Sequence, residues 1–226
     1  MTLEIIDVEQ GTEPWLAARR GLVTASVIGK LITPKTVRPA QNDTARGLVT
    51  ELVAERITGV SEETYVNADM ERGIFSEPIA RALYEEHFAP VTEVGFMIRT
   101  FDNGNRLGYS PDGLVGDDGL IEIKAPRQHH HLRTILADDV PLWNTAQCQA
   151  ALLTTGRSLL DFISFCGGLP FYVKRVYPDP KWFAAIEEAL AHFEQKAAEI
   201  LAAYETATAH LHPTERHTFD DIEIEV

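Results

Sequence analysis

Apolar positions recur at helical spacing through the first 90 residues or so and change to strand spacing in the middle of the chain. Trp15 to Ile32 reads as a helix broken at Gly21. Thr24-Ala25-Ser26 then leads into a second helix, because Ser or Thr before an apolar run is an N-cap signal. Residues 33–43 (TPKTVRPAQND) carry two prolines among polar residues and read as a loop. From Ala45 to Thr58 the apolar residues 48, 49, 52, 53 and 57 share a helical face, and Gly59 closes it. Asp69 to Phe88 is a longer helix with positions 75, 79, 80, 83 and 84 on one face and Glu77 near its start. The period then shortens. Thr92–Arg99 is a strand, Leu107–Gly113 follows the turn Asp102-Asn103-Gly104-Asn105, and Gly119–Lys124 follows Gly116-Asp117-Asp118-Gly119. Residues 127–141 are polar, contain His129-His130-His131, and read as a loop or short helix. Trp143–Thr155 is helical, Asp161–Phe165 and Phe171–Val176 are strands, and Pro178 and Pro180 end the sheet. A long Ala- and Glu-rich helix covers Lys181–Ala207. Helices flanking a run of strands predict an α/β domain, a mixed central sheet with helices on both faces.

Composition narrows this picture. The 226 residues, 45% hydrophobic, suffice for one domain with a full core, while two domains would each be small. The expected division is a single domain over residues 1–204 and an acidic tail, 205–226, of unassigned role. No run of about 18 apolar residues occurs, so no membrane-spanning helix and no membrane partner are expected. The first residues, MTLEIIDVEQ, place acids where an export signal carries Lys or Arg. Two cysteines, Cys148 and Cys166, cannot build a disulfide framework, a four-cysteine cluster or a zinc ribbon. A reducing cytoplasm is the expected location. The formal charge of −14 argues against a protein that coats DNA by neutralising phosphates. The charge is uneven, however. Residues 205–226 hold six acids and one base, a net −5, leaving −9 for residues 1–204. A local basic groove is compatible with that balance.

The densest chemistry lies in Gly108–Pro126, GYSPDGLVGDDGLIEIKAP. Glu122 and Lys124 fall on one face of their strand, and Ile121 and Ile123 fall on the other. A short hairpin would return Asp112 to the side of Glu122. Two carboxylates and an ammonium then converge at a sheet edge. Carboxylates in a cleft are hard oxygen ligands suited to Mg²⁺, which keeps several waters and binds substrate phosphate. A lysine beside such an ion can stabilise charge on a phosphate. The histidine run cannot enclose one ion, because consecutive residues diverge, and imidazole favours softer metals than Mg²⁺. It reads as an exposed loop that touches DNA.

Asp112 followed by Glu122-x-Lys124 resembles the PD-(D/E)xK nuclease core, with Pro111 as its proline. Four further motifs occur in order around it: Trp15-Leu16-Ala17-Ala18-Arg19-Arg20-Gly21-Leu22-Val23-Thr24-Ala25-Ser26, Arg72-Gly73-x-x-x-Glu77, Ser110-Pro111-Asp112-Gly113, and Gln147-x-Gln149. Together they resemble the lambda exonuclease, or YqaJ-type viral recombinase, family from about Val8 to Tyr204. Five motifs in order are far more specific than any one. The resemblance implies a restriction-endonuclease-like fold and an enzyme that digests double-stranded DNA ends 5′→3′ with Mg²⁺, as two ions, Mn²⁺ substituting. It leaves 3′ single-stranded overhangs for phage-type recombination in a bacterial host.

Residue by residue, the resemblance makes Asp112, Glu122 and the Ile123 carbonyl metal ligands, with Glu77 reaching the metal through water. Lys124 becomes the catalytic lysine, and Gln147 a neighbour of the same centre. Arg19, Ser26 and Ser110 become a pocket for the 5′-phosphate. The family implies a homotrimeric ring, which would put acids outside and bases in the channel, and a single-strand annealing protein as partner. Two other readings compete. One is a related nuclease of the same core with endonuclease activity or other polarity. The second is a DNA-binding module that has lost catalysis, although here the Asp–Glu–Lys set is whole.

Overall fold

Seven helices and nine strands are formed among residues 1–62 and 67–216, the part of the chain that the computed structural model describes, besides one turn of 3₁₀ helix at Gly29–Leu31. The first half contains β1 (Thr2–Ile6), α1 (Glu13–Arg19), α2 (Ala25–Ile28), β2 (Ile32–Thr33), β3 (Arg38–Pro39), α3 (Asp43–Thr58) and α4 (Ala68–His87). The strands β4 (Phe96–Thr100), β5 (Arg106–Tyr109), β6 (Gly113–Val115) and β7 (Gly119–Lys124) follow. The chain continues through α5 (Gln128–Ala137), α6 (Leu142–Thr155), β8 (Leu159–Ser164), β9 (Tyr172–Val176) and α7 (Pro180–Thr208). Among the described residues no helix is long and apolar enough to cross a membrane. α7 passes through the predicted boundary at residue 204, and residues 217–226 of the predicted tail lie outside the described residues.

Local chemistry sets the boundaries. Pro14 and the acid Glu13 sit in the first turn of α1, where a missing N–H costs nothing and the helix dipole favours negative charge. Gly21 takes φ +63° just after this helix, and a Cβ there would meet Arg56 Cγ at 2.5 Å. The side chains of Asn42 and Asn67 cap α3 and α4 by accepting first-turn N–H groups. Gly59 ends α3 in the left-handed region, as expected.

The mixed sheet runs β6-β7-β8-β9, with β7 and β8 parallel and the outer pairs antiparallel. On one face Leu120, Leu160 and Phe162 pack with Leu152 of α6 and Ile186 and Leu190 of α7. On the other, Ile121, Ile123 and Ile163 pack with Ala80 and Tyr84 of α4. Full burial of each such aliphatic side chain is worth about 1.5–3 kcal/mol. Helices therefore cover both faces. A second sheet, β1-β4-β5, stands beside this layer.

Five local readings change. Leu107–Gly113 is two strands rather than one. Pro111 lacks the N–H that a ladder needs, so the chain leaves one sheet at Tyr109 and joins the other at Gly113. β1 escapes the pattern because its alternation, Thr2-Leu3-Glu4-Ile5, is only four residues long and leaves Leu3 and Ile5 exposed, and because its partner strand lies ninety or more residues away. The 33–43 loop is the return of a small hairpin, Ile32 pairing with Pro39 at its edge. The apolar face assigned to α4 is narrower than its pattern. Ala80 and Tyr84 are buried, whereas Phe75 is 73% exposed, and Glu77 lies mid-helix rather than near the start.

The fifth change concerns the histidines: of the two alternatives for residues 127–141 the short helix, α5, is the one formed, and the run is not exposed throughout, since only His129 is exposed. His131 is fully buried, its Nδ1 2.7 Å from Ser164 Oγ and its Nε2 2.9 Å from the Pro170 carbonyl. It pins α5 to the end of β8. His131→Ala should leave a cavity and unpaired buried oxygens, lowering stability by about 2–4 kcal/mol in urea titrations. A change of less than about 0.5 kcal/mol would contradict this role.

Candidate active site

The site forms where the two sheets part company. The β6–β7 register, Gly113 opposite Ile121, continues to place Asp112 across from Glu122. Gly113 is required there, because a Cβ would collide with Val91 Cγ1. Asp112 Oδ2 accepts the Ile123 N–H at 2.6 Å, which locks its carboxyl against the strand that carries Glu122.

Alternation sends Glu122 and Lys124 to the α6 side of β7. Glu122 is only 1% exposed. Its Oε1 accepts from Lys124 Nζ at 2.7 Å and from Gln147 Nε2 at 2.5 Å, and its Oε2 accepts from Tyr109 O–H at 3.2 Å. Burial opposes the charge on Lys124, but Glu122 and Asp112 outweigh it and raise its pKa above the ordinary lysine range. Burial and then the adjacent Glu122 push the Asp112 carboxyl well above its usual range.

Glu77 stands at the rim, its carboxyl raised by burial against the opposing charge of Arg81. Arg81 donates to Glu77 Oε1 at 2.5 Å, to the Asp112 carbonyl at 2.9 Å, and pairs with Glu93 at 2.9 Å. It thereby ties the α4 carboxylate to the Asp112 turn. Sequence reasoning misses Arg81 and Tyr109. Arg81 has one available signal, its i,i+4 spacing from Glu77. Gln149, by contrast, faces away from the centre. It binds the Tyr177 carbonyl and the Asp179 N–H and is structural.

Among the described residues no three His, Cys, Asp or Glu side chains are arranged to hold a metal ion. The carboxylate pair nevertheless fits Mg²⁺, which binds through one or two carboxylates and completes its shell with water and substrate phosphate. A half-buried carboxyl, Asp112, whose ionisation is opposed by burial and by the neighbouring buried Glu122, presents charge that a divalent cation would offset.

A second cluster adjoins the first. Gly108 N–H donates to the Val23 carbonyl at 2.9 Å, a bridge that brings the 24–26 corner beside the end of β5. Arg19, in the last turn of α1, donates to Ser110 Oγ at 3.0 Å and more loosely to Ser26 Oγ at 3.4 Å. The Trp15 ring lies 4.2 Å from its guanidinium, and the Trp15 indole donates to the same Ser110 Oγ at 2.9 Å. Burial lowers the Arg19 pKa to about 10, with Glu55 partly offsetting it, so the group stays cationic at neutral pH. The corner is anchored from behind. Glu55 accepts the Gly21 N–H at 2.6 Å, and Arg56 donates to the Gly21 carbonyl at 2.7 Å and forks onto Glu194. The three residues named for a phosphate pocket thus meet, although up to 91 residues separate them.

Comparison with known proteins agrees with the fold. Residues 14–158 match the model of the YqaJ-like viral recombinase domain. The crystal structure of an alkaline exonuclease, LHK-Exo, from Laribacter hongkongensis is similar at 36% identity, over 89% of this chain and 100% of that one, with a TM-score of 0.77. The same exonuclease in complex with dAMP gives 0.78 at the same identity and coverage. A phage-related exonuclease from Haemophilus somnus 129PT shares the fold at 13% identity, with a TM-score of 0.60 over 81% of this chain and 96% of that one. No curated protein matches the sequence. The molecule is a nuclease of the lambda-exonuclease type, built on the restriction-endonuclease-like α/β fold. It belongs to the YqaJ-like viral recombinase family.

Proposed function

We propose that the protein is a Mg²⁺-dependent 5′→3′ exonuclease that enters at double-stranded DNA ends and leaves 3′ single-stranded overhangs for recombination. The observation that carries this reading is the adjacency of two built clusters. Asp112, Glu122 and Lys124 form one, and a half-buried cation, Arg19, whose side-chain hydrogen bonds among the described residues go to neutral hydroxyls, forms the other. The second can hold the terminal 5′-phosphate while the first positions the next phosphodiester for attack by water, which breaks its P–O3′ bond, releases the terminal nucleotide with a 3′-hydroxyl and leaves a new 5′-phosphate on the strand.

Asp112, Glu122 and the Ile123 carbonyl would hold Mg²⁺, as two ions, and Glu77 would join through water. Bound there, Mg²⁺ supplies Lewis acidity toward the phosphodiester. Lys124, kept protonated by Glu122, offers positive charge to a phosphate oxygen as negative charge develops. Gln147 and Tyr109 fix the Glu122 carboxylate in one orientation. Arg19 and the hydroxyls of Ser26 and Ser110 receive the 5′-phosphate, where a guanidinium can bond two oxygens at once.

Digestion of linear duplex should require Mg²⁺ or Mn²⁺, stop with EDTA, and fail with Ca²⁺. Calcium accepts about 6–8 oxygens in loose geometry and so binds without aligning the nucleophile. Nucleotide release in EDTA, or rapid cleavage in Ca²⁺, would overturn the metal assignment. The same reading makes the native protein a cyclic homotrimer that encircles DNA in the cytoplasm of a bacterial host and hands its product to a single-strand annealing protein. A closed ring needs two different patches on each subunit. Light scattering should report three chains, and a monomer at micromolar concentration would remove the ring.

A further inference from the structure

The histidine run and Arg72 have no part in the site described above, yet the fold brings them together. A cavity of about 440 Å³ opens where the start of α4 meets the start of α5, lined by Asp69, Arg72, Pro126, Arg127, His129 and His130. Its size falls within the roughly 300–1,000 Å³ of ligand pockets. Its walls continue the candidate active site. Pro126 lies two residues beyond Lys124, and Arg72 precedes Glu77 on α4 by five residues, about 8 Å along a helix axis. Arg72 also donates to the Ala125 carbonyl at 2.9 Å, which joins this wall to the end of β7.

One wall is organised for negative charge. Asp69 accepts from Arg127 Nε and Nη2 at 2.9 and 3.0 Å and from Arg72 Nη1 at 2.8 Å. Those bonds, Arg127's first, hold the Asp69 carboxyl down at about 2. A single carboxylate therefore fixes two guanidinium groups and leaves the cluster with a net positive charge, in a chain whose formal charge is −14. Among the described residues, Arg72 Nη2 and Arg127 Nη1 are not engaged by these bonds.

The other wall is aromatic. The rings of His129 and His130 lie 4.1 Å apart, and the Trp143 ring meets His130 edge-on at 5.8 Å. His130 Nδ1 is buried without a hydrogen-bond partner among the described residues. Desolvation, then His130 and the nearby Arg133 and Arg127, lower the His129 pKa and disfavour the charged form of its exposed ring.

We propose that this cavity is a nucleotide subsite: Arg72 and Arg127 take a phosphodiester of the strand being digested, and the His129–His130 wall takes the adjoining base. The proposal rests on the nuclease reading of the neighbouring site and extends it by one nucleotide unit. Stacking on aromatic rings tolerates any base, which suits an enzyme that must pass through every sequence.

The test is calorimetry in EDTA on the full-length chain with two probes, thymidine 5′-monophosphate and 5′-phosphorylated trithymidylate. The wild type should bind the trinucleotide more tightly. Arg127→Gln and His129→Ala should each weaken it about fivefold to tenfold and leave the mononucleotide unchanged. Arg19→Ala should weaken both. Arg127 and His129 are exposed, so melting curves should not move. Equal wild-type affinity for the two probes, or a trinucleotide bound normally by both variants, would overturn the subsite and leave the nuclease reading standing. A wild type that binds neither probe and digests no duplex in Mg²⁺ would remove both.

Discussion

Asp112→Asn and Glu122→Gln should each lower DNA hydrolysis about a thousandfold or more while leaving the protein folded. These replacements keep the shape of the side chains and one acceptor oxygen each, and turn the other oxygen into an N–H donor. The amide oxygen introduced at position 112 can still accept the Ile123 N–H, and the amide introduced at position 122 can still meet Tyr109 and Gln147. What both remove is charge, and with it the capacity to hold a divalent cation against a phosphodiester. A metal contributes several kcal/mol of transition-state charge stabilisation, and about 4 kcal/mol is a thousandfold in rate. Calorimetry should show weakened Mg²⁺ binding for both variants. Lys124→Ala should lose activity about a hundredfold or more and yet keep metal binding, because the lysine contacts Glu122 and is not itself a ligand. Near-native turnover in the lysine variant would dismiss its assigned role. Loss of the circular dichroism spectrum would instead make the residue structural.

The second large effect is on initiation. Wild-type protein should attack a 5′-phosphorylated end about tenfold to a hundredfold faster than a 5′-hydroxyl end, since a charge-assisted bond is worth roughly 1.5–3 kcal/mol. Arg19→Ala should erase most of that advantage by slowing phosphorylated ends and leaving hydroxyl ends little changed. Arg19→Lys should recover only part of it, because an ammonium keeps the charge but cannot fork two oxygens or stack as well on Trp15. Equal wild-type rates on the two ends would show that the Arg19–Ser26–Ser110 cluster serves another purpose. The comparison is insensitive to general damage, since misfolding would slow both substrates alike.

Much of this geometry is legible in the sequence because it is local. The two-residue alternation of Gly119–Lys124 separates Glu122 and Lys124 from Ile121 and Ile123, and the short hairpin returns Asp112 beside them. The Arg19–Ser110 contact spans 91 residues and follows from no local period; only the order of motifs points to it. His131 illustrates the opposite failure. A polar run suggests exposure, but the Ser164 hydroxyl and the Pro170 carbonyl satisfy both ring nitrogens and offset the cost of burial. Phe75 and Ile79 fail in the other direction, being apolar residues at core spacing that stay exposed, Phe75 the more so. Arg81 is easily overlooked because a helical arginine usually belongs to a solvated face. Here it joins Glu77, Glu93 and the Asp112 carbonyl.

The direction of digestion separates a 5′→3′ exonuclease from every other nuclease of this core. Two linear duplexes with 5′-phosphorylated ends, one labelled at the 5′ termini and one at the 3′ termini, are incubated with the protein and Mg²⁺, and acid-soluble label is followed from the first turnovers. The account predicts immediate release of 5′ label as mononucleotide, with 3′ label retained in a growing single-stranded overhang. Early release of 3′ label, or internal fragments from a closed circular duplex, would contradict it and favour a related nuclease of the same core with another polarity or mode of attack.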